Sequence, residues 1–223
     1  MIFFDAYCLF LRSVVEKKFF IFVNMTFEEI RKILKEKTIG IAGAGGLGSN
    51  CAVSLVRVGL GNLIIADFDV VSETNLNRQY YFRDQIGRKK VDALRDNLLR
   101  INPRLNVNVV YEILDPGNIP VLFQNCDIIV EAFDRSDQKE MLIETVLTNF
   151  PEKPLVVGLG MAGWGMNDTI HVRQIDNMYI CGDEVSEIGE ELPPLAPRVG
   201  IVANMQANVV LEILLRGNEG MRE

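Results

Sequence analysis

The chain has 223 residues and a net charge of −7, from 23 Lys plus Arg against 30 Asp plus Glu, and 48% of it is hydrophobic. That length and composition exclude a disordered tail and a disulfide-dependent mini-domain, because a chain this long buries a sizeable core unaided. The acidic balance argues against general nucleic-acid binding, since an acidic surface repels phosphate backbones.

Residues 1–25 stand apart. Six of the 12 Phe residues precede Met25, but Asp5, Arg12, Glu16, Lys17 and Lys18 interrupt the run too often for it to span a bilayer. Asp5 comes early and no small-residue cleavage site follows, so it does not read as a signal peptide. The segment reads as an extension outside the core, with Met25 a candidate start. The competing reading is an amphipathic arm for a partner or a membrane surface. No transmembrane segment is expected.

After Met25 helices and strands alternate. Thr26 caps a helix through Leu34, with Glu29 as its capping-box partner. Thr38 to Ala42 is a β-branched strand, 47–58 a helix broken by Gly59 and Gly61, and 62–67 a buried strand. A polar loop runs to about Ile86. Lys89 to Ile101 is a helix ended by Pro103. Next come a strand at 107–111, a short helix at Ile119–Asn125, a strand at 127–132, a helix at 137–149 and a strand at 154–160. Uninterrupted Val/Ile strands between helices indicate a parallel sheet covered on both faces. Residues 169–175 alternate like a half-exposed strand, Asp176 to Pro197 reads as a crossover, and 199–215 as a last helix for the core or a homodimer contact. The fold expected is α/β: a Rossmann-like, mostly parallel sheet, continued by antiparallel structure, a crossover loop and a C-terminal helix. Residues 26–223 form its single domain.

The four cysteines, Cys8, Cys51, Cys126 and Cys181, are too scattered for a zinc ribbon and read as free thiols in a reducing cytoplasm. One histidine, His171, removes most His-based metal and acid–base schemes; its strand neighbours Ile170 and Val172 point it to solvent or a partner.

Gly43, Gly45 and Gly48 form G-x-G-x-x-G between the first strand and the first helix of the sheet. The first glycine permits the tight turn, the second the approach of a phosphate, the third helix–strand packing. Asp67, ending the second strand, suits ribose hydroxyls. NAD and ATP fit equally so far. The following loop separates them: cleaving ATP requires neutralising three phosphates, and Arg78, Lys89 and Lys90 supply charge, with Asn75 an uncharged donor. Asp134, just past the fourth strand, is placed to bind Mg²⁺ beside phosphate oxygens.

Gly43-Ala44-Gly45-Gly46-Leu47-Gly48-Ser49, Asp67-Phe68-Asp69-Val70-Val71, Asn75-Leu76-x-Arg78-Gln79, Gly87-x-x-Lys90-Val91 and Ile101-Asn102-Pro103 resemble the ThiF/MoeB branch of the ubiquitin-activating-enzyme superfamily. The resemblance runs from about Thr38 to Leu215 and is nearest the compact ThiF subgroup of thiamine biosynthesis. It implies an adenylyltransferase that uses ATP and Mg²⁺ on the C-terminal glycine carboxylate of a ubiquitin-like sulfur carrier such as ThiS, as a homodimer. It assigns catalysis to Arg78, Lys90 and Asp134. Nucleotide binding falls to Gly43, Gly45, Gly46, Gly48, Asp67, Asp69, Asn75, Arg78, Gln79 and Lys90, and Mg²⁺ to Asp134.

Two pairs of C-x-x-C that hold zinc in many relatives are absent, so no structural zinc is expected. An R-Y-x-R-Q segment that sends an arginine into the neighbouring subunit is also missing; Arg31, the nearest candidate, reads as a solvated helix residue. Cys181 sits among acidic residues that raise a thiol pKa, and reads as an ordinary cysteine rather than a sulfur-transfer group. Trp164 either lines a groove for an extended carrier tail or is a packed surface aromatic. The competing functions are adenylation of another substrate such as a tRNA base, an NAD-dependent oxidoreductase, and an inactive carrier-binding scaffold.

Overall fold

The computed structural model describes residues 25–216. The expected N-terminal extension, Met25 aside, lies outside them. Seven strands form one sheet in the order β3-β2-β1-β4-β5-β7-β6. They are β1 (Thr38–Ala42), β2 (Asn62–Ala66), β3 (Asn106–Val110), β4 (Ile128–Glu131), β5 (Leu155–Gly158), β6 (His171–Ile175) and β7 (Met178–Gly182). All pairings are parallel except β6–β7.

The helices are α1 (Phe27–Leu34), α2 (Gly46–Val58), α3 (Lys90–Ile101), α4 (Asn118–Phe123), α5 (Ser136–Asn149) and α6 (Ala196–Arg216). In α1 the capping box forms as expected: Glu29 N–H donates to the Thr26 hydroxyl, and Thr26 N–H donates to the Glu29 carboxylate. One face of the sheet buries Ile39, Ile41 and Ile65 with Leu47, Leu55, Leu94 and Val202 from α2, α3 and α6. The other buries Ile129, Leu155 and Val157 with Ile119, Phe123, Leu142 and Val146 from α4 and α5. Residues of alternating parity on each strand thus face opposite helical layers, which is why the strands read as continuous apolar runs.

Two sequence expectations are corrected. The segment read as the start of the crossover contains β7, which lies between β5 and β6. Asp176 and Asn177 form a tight turn, with Asp176 at φ 49°, and fold β6 back onto β7. The real crossover is therefore 183–195. β6 itself is exposed at every residue rather than on one face: it is the sheet edge, and among the described residues no helix is packed over it. α6 begins at Ala196; Pro197 is tolerated there because a first-turn residue needs no intrahelical N–H partner. α6 is long and apolar enough to cross a membrane, but half of its apolar window is buried, mainly against α2 and the sheet, as in a core helix.

From β1 the chain proceeds through β2 to β3 on one side, then returns to β4 on the other. The carboxyl ends of β1 and β4 therefore diverge at a topological switch point, where open α/β sheets bind ligands. Ala42 pairs with both Ala66 and Glu131 there.

Candidate active site

A cleft of about 530 Å³ opens at that switch point. Its floor is the β1–α2 turn. Gly43 adopts φ 102°, a left-handed conformation that an L side chain resists. Gly48 sits one turn into α2, where a Cβ would stand 1.9 Å from the Gly43 carbonyl oxygen. Gly48 therefore does not line the cleft; it lets α2 approach the turn. Gly48→Ala is expected to cost about 1–3 kcal/mol of stability, a fall of roughly 5–10 °C in thermal unfolding for a domain this size.

Asp67 braces the turn. Its Oδ2 accepts from Ala44 N–H and its Oδ1 from Asp69 N–H, both at 2.7 Å. Burial raises its carboxyl pKa, an effect that Lys90 and these two N–H groups oppose. The loop after β2 then folds back over α2. Asn50 Nδ2 donates to Arg78 O at 2.9 Å, and Tyr80 N–H donates to the Ser49 hydroxyl at 3.0 Å. These contacts set Arg78 and Gln79 on the cleft wall. Gln79 is buried, and its Oε1 has no partner.

Lys90 returns to the same place because Lys90 N–H donates to Asp69 O and Val70 bridges Lys89. Its side chain is 7% exposed, and Nζ lies 2.7 Å from Asp69 Oδ2. Lys89, one residue earlier, instead stacks over the Tyr111 ring at 4.2 Å and does not line the cleft. Asp134, exposed just after β4, lines the opposite wall.

Gly43, Gly45, Gly46, Asp67, Asp69, Arg78, Gln79, Lys90 and Asp134 thus share one cleft. Asn75 does not reach it. Its Oδ1 accepts from Ser72 N–H, and its carbonyl accepts from the N–H groups of Arg78 and Gln79, so it shapes the loop that carries them. Arg31 lies elsewhere, its guanidinium 5.6 Å from the Phe27 ring.

The sequence reading missed Glu131 and Lys139: Lys139 lines the cleft, and its Nζ is 2.5 Å from Oε2 of the fully buried Glu131. The signal was present. A carboxylate ending an otherwise apolar strand, Ile128-Ile129-Val130-Glu131, demands a partner once buried. Glu112 and Leu114, following β3, also line the cleft and were not singled out.

The crossover covers the remaining side. Ser186, Glu187 and Ile188 line the cleft beside Gly160 and Met161, Ala162 N–H donating to the Ser186 hydroxyl at 3.1 Å. Arg198, at the start of α6 and 3% exposed, holds the segment: it pairs with Asp183 and donates to Gly165 O at 2.6 Å. Burial alone would raise the Asp183 pKa, but donation from Ser186 and Val185 and the Arg198 charge outweigh it and hold the carboxyl below its ordinary value. Stability from this group is therefore present above the ordinary carboxylate range and lost as pH falls through the folded value. Protection factors in 183–188, that is, exchange rates taken relative to the intrinsic rate at each pH, are expected to fall on acidification below that range and not on raising pH.

Cys181 is wholly buried in β7, and burial pushes its thiol up to about 12. It does not line the cleft. Burial rather than neighbouring acids makes it inert. Cys51 and Cys126 are also buried and unpaired. His171 is exposed, with Nε2 3.1 Å from Glu184 Oε1. Trp164 is 80% exposed beside the crossover.

A family model described as the ThiF family matches residues 20–222. The chain belongs to the ThiF family. It is an adenylyltransferase of the ubiquitin-activating-enzyme-like class, as the names of its relatives agree. The molybdopterin-synthase adenylyltransferase of Escherichia coli K12 is 29% identical over 191 residues, 82% of this chain and 75% of that protein. The adenylyltransferase and sulfurtransferase MOCS3 of Caenorhabditis briggsae is 33% identical over 192 residues, 82% of this chain but 47% of that longer protein. Among solved structures, E. coli tRNA N6-threonylcarbamoyladenosine dehydratase in complex with ATP superposes with a TM-score of 0.78 at 20% identity, covering 88% of this chain and 92% of that one. The last likeness is one of fold.

Proposed function

We propose that this ThiF-family chain adenylates the C-terminal glycine carboxylate of a ubiquitin-like sulfur carrier, using ATP. The observation that carries the reading is the convergence of Arg78, Lys90 and Asp134 on the cleft that also exposes Gly43–Gly46 and Asp67. The residue types fit a nucleotide. The N–H groups that open α2 provide an anion site, and Gln79 offers an unpartnered oxygen.

They fit Mg²⁺ too. Among the described residues no group of three or more His, Cys, Asp or Glu side chains could cage a metal. Mg²⁺ is normally held by one or two carboxylates plus phosphate oxygens, the part that Asp134 would take. Bound there, the metal would supply charge to the polyphosphate.

The chain's own groups do the rest. Asp67 accepts from ribose hydroxyls. Lys90 and Arg78 neutralise phosphate oxygens. A carrier carboxylate oxygen attacks the α-phosphorus, the bond from that phosphorus to the bridging oxygen breaks, and pyrophosphate leaves. No proton moves, so no histidine, serine or cysteine is required; orientation and charge suffice.

Trp164, Met166, Val185 and Ile188 are exposed apolar residues on the crossover and on the glycine-rich segment that Arg198 ties to it, and Ile188 lines the cleft; such a surface suits an extended carrier tail. A thiamine-type, ThiS-like carrier is the partner read from the sequence, whereas the relatives' names point to molybdopterin, so both carrier types belong in the assay. The reading includes a homodimer, which sedimentation at micromolar concentration tests. A tRNA substrate is disfavoured by the charge of −7.

The test is carrier-dependent ATP–pyrophosphate exchange in Mg²⁺. Arg78→Ala is expected to reduce it by about 10–100-fold, since Arg78 is only half-buried and its charge is partly screened. Undiminished exchange in Arg78→Ala would refute the assignment. ATP binding without exchange across ThiS-like and molybdopterin-type carriers would favour the scaffold reading.

A further inference from the structure

We infer that Glu131 and Lys139 are positioning residues that fix Asp134 in the cleft; the inference rests on the adenylation reading and assigns that site its support. Glu131 is fully buried at the end of β4, and Lys139 is 12% exposed in the second turn of α5. Between them the chain turns through Ala132, Phe133 and Asp134. Glu131 Oε1 accepts from Phe133 N–H at 2.7 Å. Lys139 Nζ donates to Glu131 Oε2 at 2.5 Å, to Phe133 O at 3.2 Å and to Gly158 O at 2.9 Å. Both backbone polar groups of Phe133 are thereby held, one residue before Asp134.

The pair joins α5 to β4 and β5, and the Glu131 backbone is held in turn by α6. Gln206 of α6 donates from Nε2 to Glu131 O at 2.8 Å, and Gly158 ends β5. All three ammonium donors of Lys139 have acceptors within the turn and the neighbouring strands. A role in stability alone does not account for this arrangement, because apolar residues of similar volume commonly stabilise a core as well as a buried ion pair does. What apolar residues cannot do is grip the N–H and the C=O of the turn at once. The pair therefore sets the direction from which the Asp134 carboxylate enters the cleft. A carboxylate that must meet a metal with near-octahedral demands gains most from such fixing.

The test measures binding. A non-hydrolysable ATP analogue is titrated calorimetrically into the full chain with Mg²⁺ and with chelator, and the ratio of the two dissociation constants gives the tightening by Mg²⁺. The pair is replaced together, as Glu131→Gln with Lys139→Met, so that no lone charge is left buried; the glutamine oxygen still accepts from Phe133 N–H. This double variant is expected to melt near the parent and to bind the analogue in chelator as the parent does. It is expected to lose about tenfold of the Mg²⁺ tightening. Made in an Asp134→Asn background, the double change should cause no further loss, because the pair acts through Asp134. Retained tightening, or a further loss from the double change in the Asp134→Asn background, would overturn the inference. If the double variant melts too low for titration, Lys139→Met alone, which frees Phe133 O, must still weaken the Mg²⁺ tightening, and unchanged tightening there overturns it equally. A parent chain that binds no analogue under either condition fails at the adenylation reading itself, and a parent that binds without Mg²⁺ tightening fails at Asp134.

Discussion

Lys90→Met is expected to lower carrier-dependent ATP–pyrophosphate exchange by on the order of 10²–10³-fold, more than any other single change to the cleft wall. The reason is its place. Its side chain is 7% exposed, whereas Asp69, its partner, is 50% exposed. The ammonium thus acts where little water screens it, while its counter-charge faces solvent and is partly screened. Methionine keeps the volume of the stem, so the melting temperature should change little. A second signature follows from Asp67. Burial raises that carboxyl and Lys90 opposes the rise, so the variant's Asp67 should stay protonated to higher pH than the parent's. Only the carboxylate can accept from both ribose hydroxyls, so the acid limb of ATP binding should move upward in pH. Exchange within threefold of the parent, with the acid limb unmoved, would place the phosphates away from Lys90.

The elements that the sequence revealed are those whose signals are local. Thr26 and Glu29 announce a helix start by reciprocal bonding three residues apart, and the β-branched run at Thr38–Ala42 is bounded by glycine immediately after; both elements form with the expected limits. β7 was missed because its evidence is non-local. Met178–Gly182 is five residues long, follows an Asp-Asn turn, and pairs with β5 some twenty residues earlier. Read alone, it merges with the Gly/Pro/acid-rich stretch beyond it. β6 was given a buried face because its residues alternate, but alternation reports a buried face only when something covers it.

The site shows the same division. The glycine turn, Asp67 and Asp134 follow from their positions at strand ends, since parallel strands deliver their carboxyl termini to one edge. Lys89 and Lys90 are alike in charge and only the motif resemblance separates them in sequence; in the structure Val70 bridges Lys89, and Lys90 is the one that turns inward. Asn75 has the chemistry of a ligand-binding donor, but its Oδ1 accepts from Ser72 N–H and the residue does not line the cleft. Lys139 could not be matched to Glu131 without knowing that α5 lies back along β4.

Arg198→Met is expected to release the crossover and to cost about 3–5 kcal/mol, the range for removing one partner of a buried ion pair. Arg198 and Asp183 have side chains 3% and 9% exposed. Losing the guanidinium leaves the Asp183 carboxylate with the donors of Val185 and Ser186 but no counter-charge, and leaves Gly165 O and Met166 O without their shared partner. Those two carbonyls belong to the glycine-rich segment that carries Trp164, so that segment and the crossover lose one common anchor. Thermal unfolding should fall by roughly 10 °C, and limited proteolysis should cut first within 183–195. ATP binding draws on Asp67, Arg78 and Lys90, remote in sequence from this anchor, so it should weaken far less than carrier-dependent exchange. A variant that keeps the parent's proteolytic resistance, or that loses ATP binding and exchange in equal proportion, would show that the crossover is held by something other than Arg198 or serves the nucleotide rather than the carrier.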